Sequence, residues 1–290
     1  MKKEKYIKYI LLLCAFLSII FLLGITITLF TEGIPIFNKV NVWGFIFGKS
    51  WHPTHEPPEF GILPLIVGSL LVTIGALIVA VPLGIGSAIY IAELAHPKIK
   101  ELLKPIIELL ASIPSVIYGF FGMVFLAPLV QKVFNIPTGL NCFTASLILG
   151  MMALPTITSI AEDSISAVPK ALGKASYALG ATKWETITRI LVPAASSGII
   201  ASIILGLGRA IGETMTVLMV AGGAAQIPKS IFQPVRPMTA TIAAEMGESP
   251  MGSLHYHSLF AIALVLFFIT LGFNLLADWV IHRKKYAQFK

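Results

Sequence analysis

The sequence predicts an all-α, polytopic membrane protein with six transmembrane helices, and three observations carry that expectation. The first is composition. Of 290 residues, 56% are hydrophobic and only 12% charged, with a mean hydropathy of +0.87, whereas about 25% of a soluble domain is charged. The second is the spacing of charge. Runs free of Asp, Glu, Lys and Arg cover 9–31, 60–92, 109–131, 133–161 and 249–277, each longer than the roughly 20 residues that cross a bilayer as helix. A sixth run, 190–228, is interrupted only by Arg209 and Glu213. The third is the sorting of bases. Six helices put both termini on one side, which then collects fifteen of the 21 Lys and Arg: Lys2, Lys3, Lys5, Lys8, Lys98, Lys100, Lys104, Lys170, Lys174, Lys183, Arg189, Arg283, Lys284, Lys285 and Lys290. The opposite side holds five (Lys39, Lys49, Lys132, Lys229, Arg236), and Arg209 lies inside. That asymmetry places both termini in the cytoplasm. The net charge of +7 is spread over loops with no basic stripe, so it is a topology signal and argues against nucleic-acid binding.

Helix one is expected over about 9–30. Four lysines precede it as in a secretion signal, but its apolar part is longer than the roughly 7–15 residues of a signal core, and no small-x-small cleavage site follows. It reads as a retained helix. The outer segment 31–60, rich in Pro, Gly and aromatics, is too polar to span; its His52 and His55 are candidate metal ligands, though a zinc site needs more donors, and solvated side chains are the plainer reading. Helix two covers about 62–91 and carries Pro64 and Pro82, breakers that membrane helices tolerate where neighbours or water satisfy the backbone. Helix three, about 105–130, has Glu108 near its cytoplasmic start and then ASIPSVIYGFFG, whose small residues and Pro114 suit a close-packed or kinked helix. Helix four, about 143–161, ends at Glu162 and Asp163.

The inside loop 162–192 is not disordered in composition. KALGKASYALGATKWETITRILVP has apolar residues at helical spacing, Gly180 between two helical stretches and Pro193 where a new helix starts. This predicts a short helix, a glycine turn and a second short helix, a rigid face for a cytoplasmic partner. Helix five is expected over about 192–221. The outer segment 222–256 contains IFQPVRPMTATIAAEMGE, with some helical periodicity; it either dips towards the bilayer or lies on its surface. Helix six covers about 257–281, with Asp278 at its inner end.

Several chemistries are excluded. No GxxxxGK[ST] phosphate loop occurs, so the chain has no P-loop ATPase of its own. GLGRAIG at 206–212 follows no strand and is no dinucleotide site. No GxSxG or HExxH motif is present, and the two cysteines, Cys14 and Cys142, form neither a CxxC framework nor an expected disulfide. No enzymatic activity and no cofactor are expected.

Arg209 and Glu213 remain. Four residues apart, they would share one face of helix five, about 6 Å apart along its axis, well inside the hydrocarbon zone. A central Arg costs about 2.5–3.5 kcal/mol on insertion scales, so the pair is expected to face the bundle or an aqueous cavity. In one reading Arg209 offers a cationic fork to an anion in transit while Glu213 holds it and limits how tightly the anion stays. In the other, the pair locks helix five to its neighbours.

The segment 174–193 resembles the cytoplasmic loop of bacterial ABC importer permeases, EAA-x3-G-x9-I-x-L-P. Ala175, Gly180, Ile190 and Pro193 match at the right spacings, while Lys174 stands for the glutamate, Ser176 for an alanine and Val192 for the leucine. FGILPLIVGSLLVT (60–73), ELLASIPSVIYGFFG (108–122), ALGATKWETITRILVPAASSGI (178–199) and GLGRAIGETMTVLMVAGG (206–223) are similar to the phosphate importer permeases of the PstC type. Related molybdate and sulfate permeases share the Arg-x-x-Gly-Glu core but continue Phe-Gly, where this chain has Thr214-Met215.

The resemblance implies a type I ABC importer permease fold, with residues 1–59 as an N-terminal helix and outer segment and 60–290 as the permease core. It implies a multi-pass protein of the cell membrane that forms a phosphate pathway with a second, PstA-like permease. Two PstB-like ATPase subunits would drive it and an extracytoplasmic phosphate-binding protein would supply it. Arg209 and Glu213 would line the pathway. The loop residues Lys174, Ala175, Ser176, Gly180, Ile190 and Pro193 would couple it to an ATPase. Three alternatives stay open: a permease for another oxyanion, an ion-coupled secondary carrier using Glu213, although no internal repeats favour it, and a membrane scaffold or sensor.

Overall fold

The computed structural model describes residues 2–287. Helix α1 (Lys2–Gly33) takes up the first apolar run. None of its most apolar window is buried, because it packs mainly along the last helix, where Phe30 meets Phe268 edge-on at 6.0 Å. A 3-10 turn over Ile34–Asn38 leads to α2 (Val42–Phe47), whose N-terminus is capped by the Asn41 side chain accepting from Trp43 N. Strand β1 (Trp51–His52) pairs antiparallel with β2 (Glu59–Phe60). His52 and His55 stack on each other there at 4.6 Å between ring centres.

Helix α3 (Leu63–Ile89) runs through Pro82 and finishes in a wide π turn, Tyr90–Leu94. The following region departs from the expected single helix over 105–130. Helix α4 (Pro97–Ser112) ends before Pro114, and a separate span starts with α5 (Ser115–Phe121), passes a π turn at Gly122–Leu126 and closes as α6 (Ala127–Phe134). Pro114 lacks an N–H and forces its predecessor out of helical geometry, and Ile113 accordingly has ψ 128°. The result is a break, not a kink, and it leaves Glu108 on α4, outside the span. No residue of α4 is fully buried, as expected for an amphipathic helix that touches the bundle with one side.

Helix α7 (Cys142–Ser166) is the central element and packs most extensively on α3. Small residues allow that approach: a Cβ on Gly84 would come within 2.9 Å of Ile157, and one on Gly150 within 3.0 Å of the Ala76 carbonyl. Beyond α7 lie α8 (Lys170–Ala178) and α9 (Lys183–Thr186), then a π turn at Ile187–Leu191, α10 (Val192–Ala194), α11 (Ser196–Ile211) and α12 (Met215–Val220). The continuous helix expected over 192–221 is therefore not formed. The segment 183–194 meets 196–211 at a bend of 69°, and residues 212–214 separate α11 from α12. Among the described residues five helices are long and apolar enough to cross a membrane, and the bent pair, counted as one span, brings the total to six.

The segment expected to dip or to lie on the surface tucks into the bundle. Helix α13 (Met238–Glu245) has Met238, Thr239, Ala240 and Thr241 buried, and Met238 N donates to Ser69 Oγ at 2.8 Å. At that end Glu245 accepts from Trp51 Nε1, forms an ion pair with Arg236 and meets His255 Nε2 at 2.9 Å. One carboxylate thereby ties the hairpin, the 222–237 loop and α13 to the start of α14 (Leu254–Ala287). α14 begins three residues before the expected helix six.

Candidate functional site

The α4–α5 break gives the interior its polar centre. A helix ends with four carbonyls that have no intrahelical partner, and inside a membrane protein these need donors. Tyr118 Oη donates to Leu110 O at 2.9 Å, and Arg209 Nη2 donates to Ala111 O at 3.2 Å. Arg209 Nη1 donates to Thr156 Oγ1 on α7 at 3.1 Å. Arg209, half-buried on the last turn of α11, thus joins α11, α7 and the negative end of α4, where a cation is favoured.

Glu213 does not accompany it. The expectation of a four-apart pair on one helix face is overturned, because α11 stops at Ile211 and Glu213 N turns back to Ala210 O. Among the described residues no ion pair links the two. Instead Glu213 Oε1 accepts from Thr216 N at 3.2 Å and lies 3.2 Å from Thr216 Oγ1, capping the start of α12. The Thr216 hydroxyl also lies 3.0 Å from Ser115 O, the first residue after the break. Thr239 Oγ1 donates to the Glu213 carbonyl at 2.7 Å. A narrow pocket beside Glu213 has Ser69, Thr73 and Thr239 among otherwise apolar lining residues. Arg209 and Glu213 therefore address the same break from its two sides, through separate partners. Thr156, Tyr118, Thr216 and Thr239 were missed in the sequence. Their signal was weak: Tyr118, Thr156 and Thr216 are single hydroxyls within long apolar stretches, and Thr239 lies in the outer segment between Arg236 and Glu245.

The 170–194 region forms the expected helix, turn and helix. Gly180, at φ +84°, supplies the left-handed residue that ends α8. Thr182 opens α9 with a reciprocal capping box to Glu185. Ser176 is buried and its hydroxyl meets Thr186 Oγ1 at 2.9 Å, locking α8 to α9. Lys174 and Ala175 are exposed, Ile190 is half-buried, and Pro193 sits in α10 just before the 69° bend. Leu179 and Trp184 project outwards, 89% and 64% exposed, on either side of the turn.

The same end carries an ionic clasp between α4 and α7. Glu162, only 3% exposed, receives Lys100 at 2.7 Å and Lys104 at 2.9 Å, and Lys104 also reaches Asp163 at 2.6 Å. Asp163 first and Glu162 second hold the Lys104 ammonium above the ordinary lysine range.

The comparisons agree with this architecture. The family model described as "Binding-protein-dependent transport system inner membrane component" matches residues 80–286. The Bacillus subtilis protein named "Probable ABC transporter permease protein YqgH" is 40% identical over 274 residues, covering 94% of this chain and 89% of that one. The Mesorhizobium japonicum "Phosphate transport system permease protein PstC" is 37% identical, covering 93% and 87%. Among solved structures, a crystal structure of a bacterial alginate ABC transporter superposes with a TM-score of 0.70 over 97% of this chain and 96% of that one, at 16% identity. The fold is that of a type I ABC importer permease. By sequence and by architecture, the chain belongs to the family of binding-protein-dependent transport system inner membrane components.

Proposed function

We propose that this chain is the permease subunit of an ATP-driven importer of inorganic phosphate. It forms the pathway with a second, PstA-like permease, couples to two PstB-like ATPase subunits and receives phosphate from an extracytoplasmic binding protein. The relatives named for phosphate transport support the substrate. The observation that carries the reading is Arg209: among the described residues two of its five N–H donors are bonded, to Thr156 and Ala111. A half-buried guanidinium with donors left over suits a tetrahedral oxyanion, which takes paired N–H bonds. Glu213, held by Thr216, stays close enough to the break to weaken a resting anion without quenching Arg209.

In this reading the basic end of the bundle, with the α8–α9 turn, faces the cytoplasm, as the fifteen-to-five distribution of Lys and Arg supports. Leu179 and Trp184 are then the side chains that enter the ATPase, and Lys174, Ala175, Gly180, Ile190 and Pro193 form the lever behind them. Ser176 stiffens it. Residues 1–59 act as a peripheral anchor and 60–290 as the working core, which fits an α1 that touches little but the last helix.

A second reading of Arg209 has its own support, since the Ala111 bond makes it a cap for α4. Arg209→Gln separates the two. If Arg209 serves the pathway, the four-subunit complex assembles and hydrolyses ATP, and uptake of labelled phosphate falls to background. Loss of assembly favours the cap, and uptake at the normal rate removes the pathway role.

A further inference from the structure

A cavity of about 500 Å³ lies between α8 and the ends of α3 and α7. Ile165 and Leu191, both buried, give it an apolar floor, and Lys100, Lys170, Lys174 and Glu93 stand around it. Leu179 and Trp184, the side chains assigned above to an ATPase, do not line it, although Lys174 of the lever behind them does. Lys100 is already taken by Glu162 and Ser166. Lys170 and Lys174 are not: among the described residues neither has a carboxylate within ion-pair distance. They lie four apart on one short helix, a spacing at which like charges disfavour the helix. The first turn of α8, which begins at Lys170, has no side-chain cap, because Pro169 precedes it; the positive end of the helix adds to the field of the lysines. Where the related loops carry a glutamate, this chain carries Lys174.

We propose that this cavity binds a phosphate group on Lys170 and Lys174, and that its occupancy fixes α8 against α3 and α7. Two sources share that chemistry: the headgroup of an anionic lipid and free inorganic phosphate. The cavity is several times larger than inorganic phosphate, which leaves room for a glycerol backbone over Ile165 and Leu191. Basic pockets of this kind at the ends of membrane helices bind lipid headgroups. Glu93 lowers the positive charge of the rim and limits the site to one phosphate. The inference stands on this end of the bundle alone and holds whichever substrate crosses the membrane.

The test uses the full chain purified with its partner subunits. Retention of phosphatidylglycerol against phosphatidylcholine is read by native mass spectrometry, and labelled inorganic phosphate by equilibrium binding in phosphatidylcholine alone, without the binding protein and in an Arg209→Gln background that removes the pathway site. Each lysine near a membrane surface contributes about fivefold to holding an anion, so Lys170→Gln/Lys174→Gln weakens binding about thirtyfold. Lys174→Glu, a single change at an exposed position, weakens it at least as much as removing one lysine. Lys98→Gln, at the same end but outside the lining, leaves it unchanged. Variant-dependent retention of phosphatidylglycerol identifies a headgroup site, and the same dependence for labelled phosphate alone identifies free phosphate. Equal binding by wild type and both lysine variants overturns the proposal, as does no binding of either probe, or a loss with Lys98→Gln as large as with the double variant.

Discussion

Glu162→Gln is the most informative change in the framework that holds the pathway. The side chain is 3% exposed and accepts from Lys100 at 2.7 Å, from Lys104 at 2.9 Å and from Ser166 at 2.7 Å. Gln keeps the shape and the Ser166 contact but removes the charge. A hydrogen bond to a charged group contributes about 1.5–3 kcal/mol. Lys100 and Lys104 are 33% and 37% exposed, so solvent screens part of each interaction, and about 1 kcal/mol per lysine is the reasonable remainder. The variant should therefore lose about 2 kcal/mol, with α4 released from α7. Detergent-driven unfolding followed by far-ultraviolet circular dichroism measures this. A cycle of Glu162→Gln with Lys104→Met isolates one pair and should give a coupling near 1 kcal/mol. A coupling below about 0.3 kcal/mol, within the range of additive sites, would refute the claim that this clasp holds α4.

Three further outcomes follow from the same structure. Ser176→Ala restores the residue that the related loops carry but leaves the fully buried Thr186 hydroxyl without its partner; unsatisfied groups of this kind cost about 1–3 kcal/mol, so amides of α8 and α9 should exchange with deuterium faster by tenfold or more. Gly180→Val places a β-branched residue at φ +84°. It should cost more than about 1 kcal/mol and lower ATP-driven uptake more than ATP hydrolysis in the assembled complex. Gly84→Leu forces a side chain into Ile157, and overpacking of about 1–3 kcal/mol should reduce the yield of folded chain, which size-exclusion chromatography reads.

Much of this architecture was legible in the sequence because membrane solvent imposes simple rules. Charge-free runs gave the spans, and Gly180 between two amphipathic stretches gave the α8–α9 turn. The failures share a cause: each involves a local break whose partners are distant. Pro114 was visible, but whether it bends or ends a helix depends on donors such as Tyr118 and Arg209 reaching the freed carbonyls. The spacing of Arg209 and Glu213 makes a pair only on a continuous helix five; the turn at Gly212 and the Glu213 carboxylate accepting from Thr216 N end that continuity. Ala111 O, a main-chain acceptor, has no signature in the sequence at all. The Glu245 knot was equally hidden, since Trp51 lies 194 residues away from it.

The central claim is ATP-driven import of phosphate by a pathway to which this chain contributes. Its most direct test is uptake of labelled phosphate into vesicles holding the reconstituted four-subunit complex and its binding protein. The expected result is uptake that requires ATP on the side of the α8–α9 turn and persists in excess sulfate or molybdate. Uptake without ATP, or displacement of phosphate by either competitor at equal concentration, would contradict the account.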